Sequence, residues 1–290
     1  MAEKVWIGTT DTDFNVAGNW SASGVPATGD TLTFDQRAIR ACLLNMTQAA
    51  KAFPTVKLMR GFAYSLGGAG AAFAPANGIT DLLVHYGGQG VCYVNTGITR
   101  VHVDATNTNE NMLVLDSSAV GDDITNLTIV SGKVVLAATV SFAASSRVSL
   151  NGAAAKLTIA SGVTYSGAAG VLAIKDGTVL VNASQSTINC DGGTVTLGAD
   201  GGTQTLTLLE QTGGTFYWES SGTITTVRCS GGTFYPNRTG QDVAKTLTNG
   251  FVYPGAVVDL SAAYNLTVTN GWYTYGASPL WPSGTPVNRV

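Results

Sequence analysis

One recurring unit constrains this chain more than any other feature. From about residue 126 the sequence keeps writing a short alternating strand, a turn that ends in Gly, and a second short strand. The units read LTIVSGKVVL (127–136), TINCDGGTVTL (187–197), LLEQTGGTFYW (208–218), VRCSGGTFYP (227–236), KTLTNGFVYP (245–254) and LTVTNGWYTY (266–275). The last Gly of each turn falls at 132, 193, 214, 232, 250 and 271, and further units at Gly152 and Gly177 bring the mean step near 20. A second signature, Ile-Thr-x-Leu/Val, opens strands at 79–82, 98–101, 124–127 and 224–227 and extends the regular region upstream to about residue 79. Short strands and Gly turns at a fixed period predict a solenoid with one unit per coil.

The expected fold is all-β, a single-stranded parallel β-helix of about 20 residues per coil. Each coil adds about 4.8 Å of height, so about ten coils make a rod on the order of 50 Å long. The composition agrees. Only 11% of residues are charged, and 36 of 290 are Gly. Along each strand Leu, Ile and Val point inward while Thr and Ser point outward. Like charges stacked one coil apart repel, whereas Thr, Asn and Ser stack without that cost. Gly supplies the positive-φ corners. The same composition argues against a disordered chain or a coiled coil. A net charge of −3 offers no footprint for nucleic acid. No apolar run is long enough for a transmembrane helix.

An antiparallel sandwich or barrel also uses Gly turns at short spacing. Two features favour the solenoid over it. One is the strict recurrence of Gly-Gly-Thr followed by a pair of apolar or aromatic residues. The other is the shared register of Cys190 and Cys229, with Gln211 in the matching place between them. Two coils apart, at roughly 9–10 Å, these cysteines lie beyond disulfide reach. All four cysteines (Cys42, Cys92, Cys190, Cys229) read as buried free thiols that act as small hydrophobes.

Three regions are expected: an N-terminal capping or attachment region (1–78), the solenoid (79–275) and an extended C-terminal arm (276–290). A solenoid exposes its first coil as an apolar edge that must be covered. Trp6, Trp20, Pro26 and Asp30 are the cap candidates. Residues 36–80 carry Arg37, Arg40, Lys51, Lys57 and Arg60 without one acid, which reads as a solvated face. Within them, 38–53 reads either as a short helix or as irregular strands. In the arm, Pro279, Pro282 and Pro286 surround Trp281, and proline forbids a continuing ladder. The arm either covers the last coil or docks on a neighbour.

Residues for catalysis or metal binding are sparse. Glycoside hydrolysis needs paired carboxylates, and Asp122-Asp123, preceded by Asn107-Thr108-Asn109-Glu110, is the best pair. It reads as a loop pair. The seven Lys and eight Arg look scattered, with no two expected at corresponding positions of neighbouring coils. His85 and His102 are spaced to fit adjacent coils, but with only Asp104 nearby they make a poor metal site. Asp11-x-Asp13-x-Asn15 mimics the start of a calcium loop, yet Val16 and Ala22 replace its required Gly and Glu. No nucleotide-binding or nucleophile-elbow motif occurs. No catalytic, metal or cofactor residue is therefore expected.

Aromatic residues follow the Gly turns at Phe216-Tyr217-Trp218, Phe234-Tyr235, Phe251/Tyr253 and Trp272-Tyr273-Tyr275. Alternation is expected to send Tyr217, Tyr235 and Trp272 outward with Tyr273 flanking. Together with Trp281 these are the interface candidates, since Tyr and Trp favour interfaces. A sugar-stacking stripe is the other reading of the same set.

The opening from Trp6 to Phe34, W-x-G…D-F-x-x-x-x-N-W-S…G-V-P-x-x-G-D-T-L-x-F, resembles the start of β-helical surface proteins of bacteria and their phages. The segment from Leu44 to Gly67 is similar in layout to proteins of tailed phages. The resemblance reaches only about as far as Gly67 and supplies no catalytic residue. It implies a non-enzymatic virion structural protein that decorates or projects from a capsid. The implied assembly is a homo-oligomer, a trimer being favoured, held to the major capsid protein or another virion protein. The alternative it implies is a glycan-binding tailspike or adhesin. Asn107–Glu110 and Asp122-Asp123 also superficially resemble polygalacturonase motifs, but Asn109 stands where that family has Asp, and no His follows His102. The start, Met-Ala-Glu-Lys-Val-Trp-Ile-Gly, has no apolar leader. Synthesis in a host cytoplasm and residence in the virion are therefore expected, with no membrane or nucleic-acid partner.

Overall fold

Alternating apolar and polar residues sort, turn after turn, into two parallel sheets wound around one core. The computed structural model describes all residues except 1, 22–23, 49, 108, 111, 118–122, 166–169, 238–242, 262–264, 278 and 281–290. It is a parallel β-solenoid with about 22 residues per turn. In the first sheet the inward row runs through Leu32, Val56, Leu82, Val101, Leu127, Val148, Leu172, Ile188, Leu209 and Val227, each in register with the next. The second sheet lines its inner face with Cys92, Leu113, Val134, Leu157, Val179, Val195, Phe216 and Phe234. All of these side chains are buried. Each large aliphatic one contributes about 1.5–3 kcal/mol of transfer free energy.

The Gly-Gly-Thr repeat marks the corner between the sheets. Gly177, Gly193, Gly214 and Gly232 stand in one column with φ of 93°, 66°, 64° and 70°. A Cβ on Gly193, Gly214 or Gly232 would come within 2.4–2.5 Å of the preceding turn's backbone. Glycine is required there by both conformation and space.

The ladder does not begin at residue 79. Glu3–Trp6 already pairs in parallel with Thr31–Phe34, which pairs with Phe53–Leu58. Residues 3–58 therefore carry the first turns themselves. Their period is hidden because the connections are long and the core positions are aromatic. The steps from Leu32 to Val56 and from Val56 to Leu82 are both longer than the mean of the later repeats. No helix forms over 38–53. That stretch holds the strand Thr47–Gln48 and isolated bridges at Cys42 and Leu44. Among the described residues the helical element is one 3-10 turn, Ala17–Asn19. None is long and apolar enough to cross a membrane.

Trp6, Trp20, Phe14 and Phe34 close the N-terminal end of the core. The Trp6 and Trp20 rings meet edge-on at 5.2 Å, and Phe14 packs on Trp20 at 4.9 Å. Each buried indole finds an acceptor: Trp6 Nε1 donates to Arg40 O and Trp20 Nε1 to Phe14 O, both at 2.9 Å. Pro26 and Asp30 belong to the turn leading into Thr31–Phe34, and both are buried. The Asp30 carboxylate accepts the N–H groups of Ala27 (3.0 Å) and Ala2 (2.9 Å). The first of these, above all, holds its pKa below the usual carboxylate range. At the other end Pro279 does not stop the ladder at once, because Leu280 N donates to Val258 O and Leu280 O accepts from Leu260 N.

Cys190, Gln211 and Cys229 stack in that order on the inner face of the first sheet. Gln211 Nε2 donates to Thr233 O at 2.9 Å and approaches the carbonyls of Gly213 and Gly214. All four cysteines are free and buried. Burial pushes the Cys92, Cys190 and Cys229 thiols up to about 12 and the Cys42 thiol well above its ordinary value. Iodoacetamide at pH 8 is therefore expected to leave the native protein unmodified and to label four sites in denaturant. Mass spectrometry after each treatment checks this, and rapid native labelling of any cysteine contradicts it.

Candidate functional site

The Asp11 and Asp13 carboxylates are occupied in building a loop. Asp11 Oδ1 accepts from Asp13 N (2.9 Å) and from Asn19 Nδ2 (2.7 Å). Asp13 accepts from Asn15 N (2.8 Å) and Asn45 Nδ2 (2.7 Å). Buried Asn19 ties this loop together, because its Oδ1 also accepts Thr10 N at 2.8 Å. That accounts for the Asn preceding Trp20. Asn107 Oδ1 accepts Asn109 N at 2.7 Å in a similar turn. Asp122 and Ala22 lie outside the described residues. His85 and His102 do sit on neighbouring turns, with ring centroids 6.0 Å apart. Asp104 instead accepts from Ser131 Oγ at 2.8 Å and lies 3.9 Å from Arg60. Among the described residues no three His, Cys, Asp or Glu side chains converge as metal ligands.

Charges do stack, contrary to the expectation that no two basic residues share a position on neighbouring coils. Lys133 and Lys156 are in direct register. Glu110 resolves the conflict by placing one oxygen on each, at 2.6 Å. The opposite-sign pairs Asp81–Arg100 and Glu210–Arg228 also bridge adjacent turns. Hydrogen bonds from both lysines, Lys133 first, lower the Glu110 pKa to about 2. Because the folded value lies below the unfolded one, the stabilisation is present above the ordinary carboxylate range and is lost as pH falls through about 2. An NMR titration of the Glu110 carboxyl is expected to show that low midpoint. Lys133→Gln should raise it part of the way toward the ordinary value, since Lys156 still holds the other oxygen, and an unchanged midpoint contradicts the arrangement.

The aromatic residues form ladders, though not the set expected. Tyr217 and Tyr235 stack outside the second sheet with centroids 5.1 Å apart, both half-buried. Trp272 is inside, 2% exposed. Its strand, Leu266–Thr274, belongs wholly to the first sheet, as does Lys245–Val252. The Asn-Gly pairs at 249–250 and 270–271 therefore lie within strands, and counting from them as corner turns reverses the faces. Gly250 takes the inward place between Val227 and Trp272. The indole fills the space its missing side chain leaves, since a Cβ there would lie 2.0 Å from the ring.

The outward rings on this end are Phe251 and Tyr273, stacked at 5.2 Å and 16°, and Tyr253 and Tyr275, stacked at 4.9 Å and 6°. Tyr273 was expected at the surface and is half-buried there. Trp281 lies outside the described residues. The aromatic residues at alternate positions, 251/253 and 273/275, repeat one turn apart and were the signal that could have revealed this patch. Tyr275 is 52% exposed, and Val257 and Leu280, exposed by 46 and 54%, lie in the same C-terminal turns. Elsewhere among the described residues, Ile39, Leu43 and Leu44 are exposed in the N-terminal turns, and Val130 between the ends. The exposed large apolar side chains thus concentrate toward the two ends of the rod.

No protein-family model matches the chain, and no curated protein or solved structure matches it.

Proposed function

We propose that the protein is a non-enzymatic virion structural protein, a β-solenoid rod that decorates or projects from a phage capsid as a homo-oligomer, with a trimer favoured. The observation that carries this reading is the C-terminal aromatic patch of Phe251, Tyr253, Tyr273 and Tyr275, with exposed Val257 and Leu280 in the same turns. A contiguous apolar surface on a soluble body marks an interaction site. Between the ends, the outward row of the first sheet runs through His102, Thr128, Ser149, Ala173 and Asn189 to the Glu210–Arg228 pair, a mostly polar face that suits a spacer. The resemblance of residues 6–67 to phage and bacterial surface proteins supports the virion setting and names the major capsid protein as a candidate partner.

A glycan-binding tailspike or adhesin is the second reading, favoured by the outward tyrosines. Stacking at 4.9–5.1 Å turns the Tyr217–Tyr235 and Tyr253–Tyr275 rings toward each other. That occupies faces a sugar would need, so the interface reading stands first. Immunogold electron microscopy of purified phage particles from the source tests the assignment. Label on the capsid supports it, label at the tail tip supports the adhesin, and unlabelled particles overturn both.

A further inference from the structure

Building on the homo-oligomer reading, we infer that the outer face of the second sheet is a lateral contact between copies of this chain along most of the rod. One outward row, locked in register over eight turns, runs from Tyr93 through Val114, Val135 and Leu180 to Tyr217 and Tyr235, with threonine at the two intervening places. All six of these side chains are half-buried. One place beyond the Phe234–Val258 pair the row passes Asp259, whose carboxylate accepts Ser261 N at 2.9 Å. It ends on exposed Leu280, which pairs with Asp259. Val257, also exposed, stands beside the row in register with Thr233. Two exposed apolar side chains of the C-terminal turns thus continue this face. The first sheet does not repeat the pattern, since its outward row on the same turns is mostly polar from Thr128 to Glu210.

A second copy is the occupant that the dimensions and the charges fit. From Tyr93 to Leu280 the row spans about 43 Å, and the outward rows one step to either side make the strip about 13 Å wide. That is roughly 560 Å², below the ~800 Å² per partner of a standard interface. The C-terminal rings make up the difference, so neither surface suffices alone. The two flanks are complementary. Lys133 and Lys156 precede the row, two places before Val135 and Thr158, while Asp116, Ala137 and Ala160 follow it. Rotation about an axis along the rod sets the leading flank of one copy against the trailing flank of the next. Lys133 then comes within about one turn height, 4.8 Å, of the level of Asp116 and meets no lysine, and such pairing of opposite charges fixes register. Copies placed this way all point in one direction, which also brings their C-terminal rings to the same level.

Sedimentation equilibrium and cross-linking of the full chain test this face. Val135→Glu/Leu180→Glu should sediment at the mass of one chain with the wild-type circular dichroism spectrum, because assembly would bury unpaired charge. Ser149→Glu, on the first sheet, should keep the assembled mass. Leu180→Cys should be joined between chains by bis(maleimido)ethane and Ser149→Cys should not, the native thiols being buried. Cross-linking decides the matter where the double variant does not fold. An assembled wild-type protein in which Leu180→Cys stays unjoined, or a folded double variant that stays assembled, overturns this face and leaves the homo-oligomer reading standing. A monomeric wild-type chain overturns both.

Discussion

Trp272→Ala is expected to destabilise the C-terminal turns by about 3–5 kcal/mol, the range for removing a large buried aromatic side chain. The ring is 2% exposed, meets Phe234 at 6.3 Å and seats over Gly250. Gly250→Val should cost about 1–3 kcal/mol or more by overpacking, because the new side chain enters the volume the indole holds. The two changes are not independent. In Trp272→Ala the space above residue 250 is vacant, so valine becomes a filler rather than an obstruction. The double variant should be more stable than the sum of the single effects by about 1–3 kcal/mol, the coupling typical of contacting residues. Denaturant melts combined with hydrogen exchange read this out. In a solenoid each turn leans only on its neighbours, so the loss should appear first in Lys245–Val252 and Leu266–Thr274. Strict additivity of the two substitutions contradicts the packing described.

The second large effect is expected at Lys245, a lysine only 3% exposed. Its ammonium donates to Trp218 O at 2.6 Å and to Pro236 O, and lies 5.2 Å from the Trp218 ring centre. A buried cation needs such company, because leaving it unpaired costs far more than a neutral group would. It joins the end of one turn to the start of the next, where backbone carbonyls would otherwise face the core. Lys245→Met preserves most of the stem but removes every donor. A loss of about 2–4 kcal/mol is expected, combining charged hydrogen bonds with carbonyls left without a partner. Lys245→Arg should also destabilise, since a planar guanidinium does not fit a pocket shaped for an ammonium. Urea denaturation of the three proteins checks this. Wild-type stability in Lys245→Met contradicts it.

These cases show which parts of the structure were legible in the sequence. The Cys190–Gln211–Cys229 column could be placed because Gly-Gly-Thr ties each turn to one corner, where glycine is needed on steric grounds. Trp272 faces inward rather than outward because Asn270-Gly271 resembles that corner but lies inside a strand, and a shift of frame reverses inward and outward. The stacked Lys133 and Lys156 were missed because their compensating partner, Glu110, comes from an earlier turn that periodicity does not reveal. The first turns were hidden by the long steps between Leu32, Val56 and Leu82 and by aromatic rather than aliphatic core positions.

The register also fixes which aromatic side chains face outward, and that patch is the surface proposed to hold rods together. Sedimentation equilibrium of the wild-type chain and of Tyr253→Ser/Tyr273→Ser/Tyr275→Ser tests it most directly. The wild-type protein is expected at three times the 29.7 kDa chain mass, and the triple variant at the mass of one chain with an unchanged circular dichroism spectrum. A monomeric wild-type protein, or a variant that stays assembled, contradicts the account.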